Sequence, residues 1–136
     1  MVARSCGAPE KRFVVIVEDD AAVCGALAFA LRTHEIPVRC YDCAEDLLAD
    51  GSVGDVCYMI VDYQLPKMNG LDLLAELKTR GVHAPAAIIA TNPSAAVRAA
   101  AAVHGAAMVE KPLLDEELYD LVLSSRERLS SRPRET

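Results

Sequence analysis

Short apolar runs alternate along the chain with segments in which apolar residues recur at helical spacing, which is the pattern of β-strands followed by α-helices. The predicted strands are Phe13–Val17, Val38–Tyr41, Val56–Val61, Ala86–Ala90 and Ala107–Val109. The first run is almost entirely Val and Ile, as is typical of parallel strands that are covered on both faces. We therefore expect an α/β fold built around a parallel sheet.

Apolar stripes of helical period follow most of these strands. They consist of Val23, Leu27, Ala30 and Leu31 after the first strand, Leu71, Leu74 and Leu77 after the third, and Leu114, Leu118, Leu121 and Val122 after the fifth. A short helix is predicted at Ala44–Ala49, and Ser94 is a suitable N-cap for an alanine-rich fourth helix. Five strand–helix units with right-handed crossovers predict a three-layer (βα)5 sandwich of the flavodoxin-like type, with sheet order 2-1-3-4-5.

The chain has 136 residues, of which 52% are hydrophobic, and this is enough for the core of one domain. We place that domain at residues 12–124, after a flexible N-terminal segment at 1–11 and before a polar tail or linker stub at 125–136. The net charge of −6 argues against direct nucleic acid binding, which needs clustered Lys and Arg. Because no segment approaches the roughly 18 apolar residues of a membrane span, we expect a cytoplasmic protein that does not bind membranes.

The five cysteines, Cys6, Cys24, Cys40, Cys43 and Cys57, form an odd set, which is typical of reduced thiols rather than of a disulfide scaffold. Cys40 and Cys43 make a C-x-x-C motif, which occurs in redox sites and as half of many zinc sites. The chain has no second pair of suitable ligands to complete a tetrahedral zinc site. Since Cys24, Cys40 and Cys57 lie within apolar runs, we interpret them as small hydrophobic side chains.

Charged and hydroxyl side chains stand at the ends of four predicted strands. Glu18, Asp19 and Asp20 follow the first strand, Asp62 the third, Thr91 the fourth and Lys111 the fifth. The carboxyl ends of parallel strands lie along one edge of a sheet, so these side chains are predicted to meet in one pocket. Crowded carboxylates repel one another unless a hard divalent cation and an amine neutralise them. The arrangement therefore predicts bound Mg²⁺ and phosphoryl-transfer chemistry.

Asp62 is the predicted nucleophile of this pocket. A carboxylate at the end of a buried strand can attack an activated phosphoryl group and form an acyl phosphate. Pro66 and Gly70 predict a tight loop beside it. Lys111 would pair as a point charge with the carboxylate or the transferred phosphate, and the Thr91 hydroxyl would turn onto a phosphate oxygen.

Each of these features alone is common, but their combination and order would rarely arise by chance. Along the chain the order is the acidic cluster, the segment VDYQLPKMNG, the strand that ends at Thr91 and the segment VEKP. At these residues the chain resembles the receiver domain of two-component response regulators, over about residues 12–124. The resemblance implies a phosphorelay switch that accepts a phosphoryl group on Asp62 from a histidine kinase or a phosphotransfer protein. Such a switch is not an enzyme in the usual sense, because it only assists its own phosphorylation and dephosphorylation.

The resemblance also implies a metal site and an output surface. Asp19 would bind Mg²⁺ directly and Glu18 through water, while Asp62 and the backbone carbonyl of Gln64 would complete the protein ligands. A downstream protein would bind the face made by the fourth helix, the fifth strand and the fifth helix, the α4-β5-α5 face. A phosphorylation-dependent homodimer is a further form that the output could take.

Two features depart from the family pattern. Thr91 matches the switch hydroxyl and Lys111 the lysine that precedes a proline, but receivers usually carry Tyr or Phe two or three residues before that lysine. This chain has Met108 there, so the rotating aromatic switch is absent. The segment 91–111 is also slightly shorter than expected for the family. Methionine is flexible and can fill the same gap, so we expect the coupling between Thr91 and the outer face to be weaker or different.

Two other functions stay open at this point. Met108 and the short segment favour a receiver fold that works as an interaction module independently of phosphorylation, whereas the intact Asp62 and Lys111 oppose it. A phosphatase of the dehalogenase superfamily would also use an Asp nucleophile with Mg²⁺. Such phosphatases need a second acid two residues after the nucleophile, where this chain has Gln64, and the chain has no spare length for a substrate cap.

Overall fold

The computed structural model describes residues 12–50, 56–111 and 117–123 of the chain. Its strands are β1 (Phe13–Val17), β2 (Val38–Tyr41), β3 (Val56–Asp62), β4 (Ala86–Ala90) and β5 (Ala107–Glu110). Its helices are α1 (Ala21–Arg32), α2 (Ala44–Ala49), α3 (Gly70–Thr79) and α4 (Ala95–Val103), and a further helical stretch, α5, covers residues 117–123. Each predicted strand is present, and β3 and β5 each extend one residue further than predicted. The predicted segments at 1–11 and 125–136 lie outside the described residues.

The strands form one parallel sheet in the order β2-β1-β3-β4-β5, which confirms the predicted 2-1-3-4-5 topology. The register pairs Val17 with Val61 and Asp62 with Ile89, so the carboxyl ends of β1, β3 and β4 lie level with one another. The residues that follow these strands are thereby brought to a single edge of the sheet, where ligands bind in open α/β folds.

The sheet is covered on both faces, as the Val- and Ile-rich runs predicted. On one face, sheet residues such as Val15 pack with residues of α2, α3 and α4, which include Leu47, Leu74 and Ala101. On the other face, sheet residues such as Ile16 pack with residues of α1 and α5, which include Leu27, Leu31, Leu118 and Val122. Every residue of β1, β3 and β4 is buried, which makes the ends of these strands a rigid support for polar side chains.

The four cysteines in the described part of the chain differ in burial, and Cys6 lies outside that part. Cys24 and Cys57 are buried, as predicted. Cys40 is exposed, so its interpretation as a buried hydrophobic side chain is wrong. The physical reason is that β2 is an edge strand and its residues after Val38 are only partly covered.

Helix α4 begins as predicted, since the Ser94 side chain accepts a hydrogen bond from the backbone N–H of Val97 at 3.1 Å. Asp20 has the same role at α1, where its carboxylate accepts hydrogen bonds from Ala22 N at 3.0 Å and Val23 N at 3.3 Å. In the described part of the chain, the helices are too short or too polar to cross a membrane.

Candidate functional site

A cleft of about 420 Å³ opens at the carboxyl edge of the sheet. Its lining includes every residue that the sequence predicted for the phosphoryl and metal site: Glu18, Asp19, Asp62, Gln64, Thr91 and Lys111. These residues come from four strand ends that are far apart in the sequence. The parallel sheet with a level edge is therefore what assembles the cleft.

The amine of Lys111 joins two of these strand ends. Its Nζ atom donates to Oε2 of Glu18 at 3.1 Å and to Oδ2 of Asp62 at 3.2 Å. The backbone N–H of Lys111 donates to the carbonyl of Ala90 at 2.9 Å, which continues the pairing of β4 with β5 and directs the chain toward the cleft. Burial by itself would lower the pKa of Lys111, but the hydrogen bonds to Glu18 and Asp62 outweigh it and raise the pKa. The amine therefore stays charged.

Asp62 ends β3 and is held on both carboxylate oxygens. Its residue is 4% exposed, yet it lines the cleft. Oδ1 accepts a hydrogen bond from the backbone N–H of Gln64 at 3.3 Å, and Oδ2 accepts the bond from Lys111. These contacts restrict the rotation of the carboxylate, so one orientation is offered to the cleft.

Glu18 is a buried carboxylate whose charged form is disfavoured. Burial is the largest cause that raises its pKa to about 7, and the hydrogen bond and charge of Asp62 raise it further, while Lys111 acts in the opposite direction. One ammonium group thus does not balance the negative charge gathered here. A bound cation would relieve this excess.

The acidic side chains have different roles. The carboxylate oxygens of Glu18, Asp19 and Asp62 lie within 4.8 Å of one another, so one cation could contact all three side chains. Oxygen ligands of this kind suit a hard divalent ion such as Mg²⁺, which takes one or two carboxylates directly and keeps several waters. Asp20, the third acid of the predicted cluster, instead accepts hydrogen bonds from the first turn of α1. Gln64 lies beside this group on the cleft wall.

Gly70 is a site residue that sequence reasoning treated only as part of a turn. A Cβ atom at this position would lie 2.5 Å from the carbonyl oxygen of Asp62 and 3.0 Å from Cγ1 of Val61. The N–H of Gly70 donates to the carbonyl of Tyr63 at 2.8 Å, which fixes this close approach. The available signal was a glycine at the first position of a helix, where helix geometry alone does not require one.

Lys67, in the loop between Asp62 and α3, is a second feature that the sequence did not reveal. Its φ is +74°, in the left-handed region, and the N–H of Met68 donates to the carbonyl of Pro66 at 2.8 Å across it. This is a γ-turn with positive φ at the central residue, which is a rare and strained conformation for a residue with a side chain. The predicted loop is present, but it is tighter than its sequence suggests.

Thr91 and Met108 occupy different places. Thr91 is exposed directly after β4 and lines the cleft, and its hydroxyl makes no hydrogen bond to the described part of the chain. Asn92 follows it with φ +49°. Met108 lies outside the cleft, half-buried in β5, where it pairs with Ile88 and packs against the core on the α4 side of the sheet. The structure therefore places Thr91 in the cleft and Met108 outside it, against the core.

Comparisons with known proteins agree with this geometry. The profile of the family described as "Response regulator receiver domain" matches residues 14–123. Nodulation protein W of Bradyrhizobium diazoefficiens is 29% identical over 122 residues, which cover 89% of this chain and 54% of that protein. Transcriptional regulatory protein FixJ of Azorhizobium caulinodans is 30% identical over 128 residues, covering 93% of this chain and 61% of that protein. The chain thus spans little more than half the length of these curated relatives.

Solved structures show the same fold. The crystal structure of a CheY-like response regulator receiver domain protein from Methanospirillum hungatei JF-1 superimposes with a TM-score of 0.80 at 20% identity, covering 88% of this chain and 96% of that one. The crystal structure of FixJ-N superimposes with a TM-score of 0.76 at 27% identity, covering 86% of this chain and 94% of that one. The first likeness concerns the fold alone, and the second extends to the sequence.

Proposed function

The chain belongs to the response regulator receiver domain family, and from this premise we propose that it is a phosphorylation-dependent signalling switch with Asp62 as the phosphoryl acceptor. The observation that carries the proposal is the position of Lys111, whose Nζ atom lies 3.2 Å from Oδ2 of Asp62 and 3.1 Å from Oε2 of Glu18. An amine and two carboxylates thereby share one cleft. Such a pocket suits phosphoryl transfer, which depends mainly on positioning and on charge stabilisation.

Asp62 has the properties that a phosphoryl acceptor needs. It is fixed at a rigid strand end, and its carboxylate faces a cleft large enough for a phosphoryl group. When a carboxylate oxygen attacks the phosphorus of a phosphohistidine, the O–P bond forms as the N–P bond breaks, and the imidazole nitrogen keeps the electron pair. We propose a histidine kinase or a histidine phosphotransfer protein as the donor, in keeping with the family.

The donor set of the cleft fits Mg²⁺. Asp19, Asp62 and the backbone carbonyl of Gln64 would hold the ion, and Glu18 would act through a water molecule. When bound, Mg²⁺ reduces the repulsion between the acceptor carboxylate and an anionic phosphoryl donor. Lys111 adds a second positive charge, which its contacts with Glu18 and Asp62 keep in place.

Thr91 is the residue that we propose to respond to the new phosphate. An acyl phosphate at Asp62 brings negative charge and acceptor oxygens into the cleft. The Thr91 hydroxyl, which has no hydrogen bond to the described residues, could donate to one of these oxygens and draw the loop before α4 inward. Since Ser94 caps α4 only three residues later, this movement would reach the first turn of α4.

The output of the switch is proposed to be a protein contact. We assign it to the α4-β5-α5 face, where Met108 takes the place of the usual aromatic residue. A second copy of the chain is one partner that this face would suit.

The relatives compared above are named as a nodulation protein and a transcriptional regulatory protein rather than as enzymes. We therefore propose a regulatory role and assign no catalytic turnover beyond the switch's own phosphorylation and dephosphorylation. The negative net charge of −6 speaks against direct nucleic acid contacts by this domain.

A second function is supported by two observations. Met108 replaces the aromatic switch, and the Thr91 hydroxyl has no hydrogen bond to the described residues. Both are compatible with a domain that binds its partner independently of phosphorylation. The experiment described next distinguishes this function from the phosphorylation-dependent switch.

The test is incubation with acetyl phosphate and Mg²⁺, followed by intact mass spectrometry. The wild type should gain about 80 Da, the mass of one phosphoryl group, and chelation of Mg²⁺ by EDTA should prevent the gain. Asp62→Asn should gain nothing. Asp42→Asn, which changes an exposed aspartate outside the cleft, is the matched control and should be phosphorylated like the wild type.

The outcomes are distinct. An equal mass gain on Asp62→Asn would refute Asp62 as the acceptor. A folded wild type that gains no phosphate, and binds the same partner in pull-downs with and without beryllofluoride, would favour the phosphorylation-independent module.

A further inference from the structure

Cys24 and Cys40 lie against each other, although they belong to different elements of the fold. Cys24 is buried in α1, and Cys40 is exposed on the edge strand β2. Sγ of Cys40 lies 4.0 Å from the backbone carbonyl oxygen of Cys24, and both residues line one cavity. The fold thus gives Cys40 a cysteine neighbour that the sequence spacing did not suggest.

Cys43, the other half of the C-x-x-C motif, has different surroundings. Its sulfur lies within 4.8 Å of carboxylate oxygens of Asp42 and Asp46. By contrast, Cys24 and Cys40 line one cavity and Cys43 does not. The geometry therefore favours reaction of Cys40 with Cys24 over reaction within the motif.

Small reagents can reach the Cys24 and Cys40 pair. A cavity of about 440 Å³ between α1, β2 and α2 is lined by both cysteines, and Gly25 leaves its wall open on the α1 side. This volume is many times the roughly 30 Å³ that a water molecule occupies in the liquid, so a peroxide molecule fits easily.

We propose that Cys24 and Cys40 are a redox-active pair that a peroxide converts reversibly into a disulfide linking α1 to β2. This inference does not depend on the proposed phosphoryl chemistry. It assigns to the chain a covalent modification site next to the cleft, since Glu18 lines both the cleft and this cavity.

The reaction begins at the exposed sulfur. The Cys40 thiolate attacks one oxygen of hydrogen peroxide, hydroxide leaves, and a sulfenic acid forms. The Cys24 sulfur then displaces hydroxide from the Cys40 sulfur, and the hydroxide takes the Cys24 proton to give water. In sum, two thiols are oxidised to one disulfide, and one hydrogen peroxide is reduced to two water molecules. Burial, followed by the contact with Cys40, raises the pKa of Cys24 to about 12, so the exposed Cys40 rather than Cys24 is the thiol that attacks the peroxide.

The bond would act on the first turn of α1. The backbone N–H of Cys24 donates to the carbonyl of Asp20 at 2.9 Å, and Asp20 follows the acidic residues of the cleft. A disulfide at Cys24 would therefore restrain the helix end that positions Glu18 and Asp19.

The test uses the full chain at low concentration, treated with hydrogen peroxide and then denatured in N-ethylmaleimide. Before alkylation, the mass of the wild type should fall by about 2 Da as two hydrogens leave. After alkylation, the number of N-ethylmaleimide adducts should fall from five to three, because the disulfide uses two of the five cysteines. Non-reducing peptide mapping should link Cys24 to Cys40, and dithiothreitol should restore five adducts.

Variants assign the bond. Cys40→Ser, at an exposed position where folding is not at risk, should remove the linkage, whereas Cys43→Ser should retain it. A linkage between Cys40 and Cys43, oxidation of Cys40 to sulfinic acid without a disulfide, or a wild type that keeps five reactive thiols would each overturn the proposal.

Discussion

Replacing Gly70 with alanine should destabilise the domain, although it adds only one methyl group. The new Cβ would lie 2.5 Å from the carbonyl oxygen of Asp62, whereas even a close C–H···O contact keeps carbon and oxygen about 3.3 Å apart. The start of α3 must therefore move by about 0.8 Å, the difference between these two distances. Val61 Cγ1, at 3.0 Å, blocks part of the available space, and the main obstacle is backbone that cannot rotate away. Overpacking of this kind costs about 1–3 kcal/mol.

The chain offers a matched control for this prediction. Gly25 lies in the middle of α1, and a Cβ there would meet no atom within 4 Å. Alanine is preferred to glycine inside a helix, so Gly25→Ala should stabilise the domain by about 0.5–1 kcal/mol. The same chemical change is thus expected to have opposite signs at the two positions.

Urea unfolding followed by circular dichroism measures both effects as free energies of unfolding. Because the shift of α3 displaces the Asp62 carbonyl and the loop that follows it, Gly70→Ala should also slow phosphorylation by acetyl phosphate under conditions where it is fully folded. A Gly70→Ala protein as stable as the wild type would refute the steric argument. Equal changes in both variants would show that helix propensity alone decides.

Two further predictions concern charge and backbone strain. Since the pKa of Glu18 rises from 4.5 to about 7 on folding, its contribution to stability is complete below the lower value and is lost as the pH rises through the upper one. Without Mg²⁺, Glu18→Gln should therefore exceed the wild type in stability by up to about 3 kcal/mol near pH 8, but hardly at about pH 4. Urea unfolding in EDTA measures this difference, and a gain in stability that does not depend on pH would contradict the prediction. Lys67→Gly should stabilise the domain by up to about 1 kcal/mol because glycine adopts positive φ without strain, and a lower urea midpoint would show that the γ-turn is not strained.

The fold could be read from the sequence because the strands that carry it are buried on both faces. The apolar runs of β1 and β3 indicate buried parallel strands. The alternation of strands and helices along the chain then predicts a parallel sheet. The prediction from sequence was wrong at the edge of the sheet, where Cys40 is exposed. Whether Cys40 is buried depends on what covers the outer face of β2, and local composition does not contain that information.

The site was predicted where chain order alone determines position, and missed where close packing does. Asp62 and Lys111 each follow a strand, so the level edge of the sheet brings them together. The need for glycine at position 70 arises from the carbonyl of Asp62, and the positive φ of Lys67 belongs to the γ-turn that the hydrogen bond from Met68 to Pro66 closes. Asp20 was predicted only as part of the acidic cluster, and the structure shows that its carboxylate accepts hydrogen bonds from the first turn of α1.

One hydrogen bond from Thr91 to a phosphate in the cleft would be enough to shift a conformational equilibrium. A charge-assisted hydrogen bond is worth about 1.5–3 kcal/mol, which shifts a two-state equilibrium by roughly one to two powers of ten. One such bond from Thr91 to a phosphate on Asp62 would therefore suffice to bias the start of α4, which Ser94 caps three residues further on. This route stays within the loop and the helix that follows it, and it does not pass through β5. Methionine instead of an aromatic residue at position 108 would therefore affect the β5 side of the proposed output face, while the contact from Thr91 could still move α4.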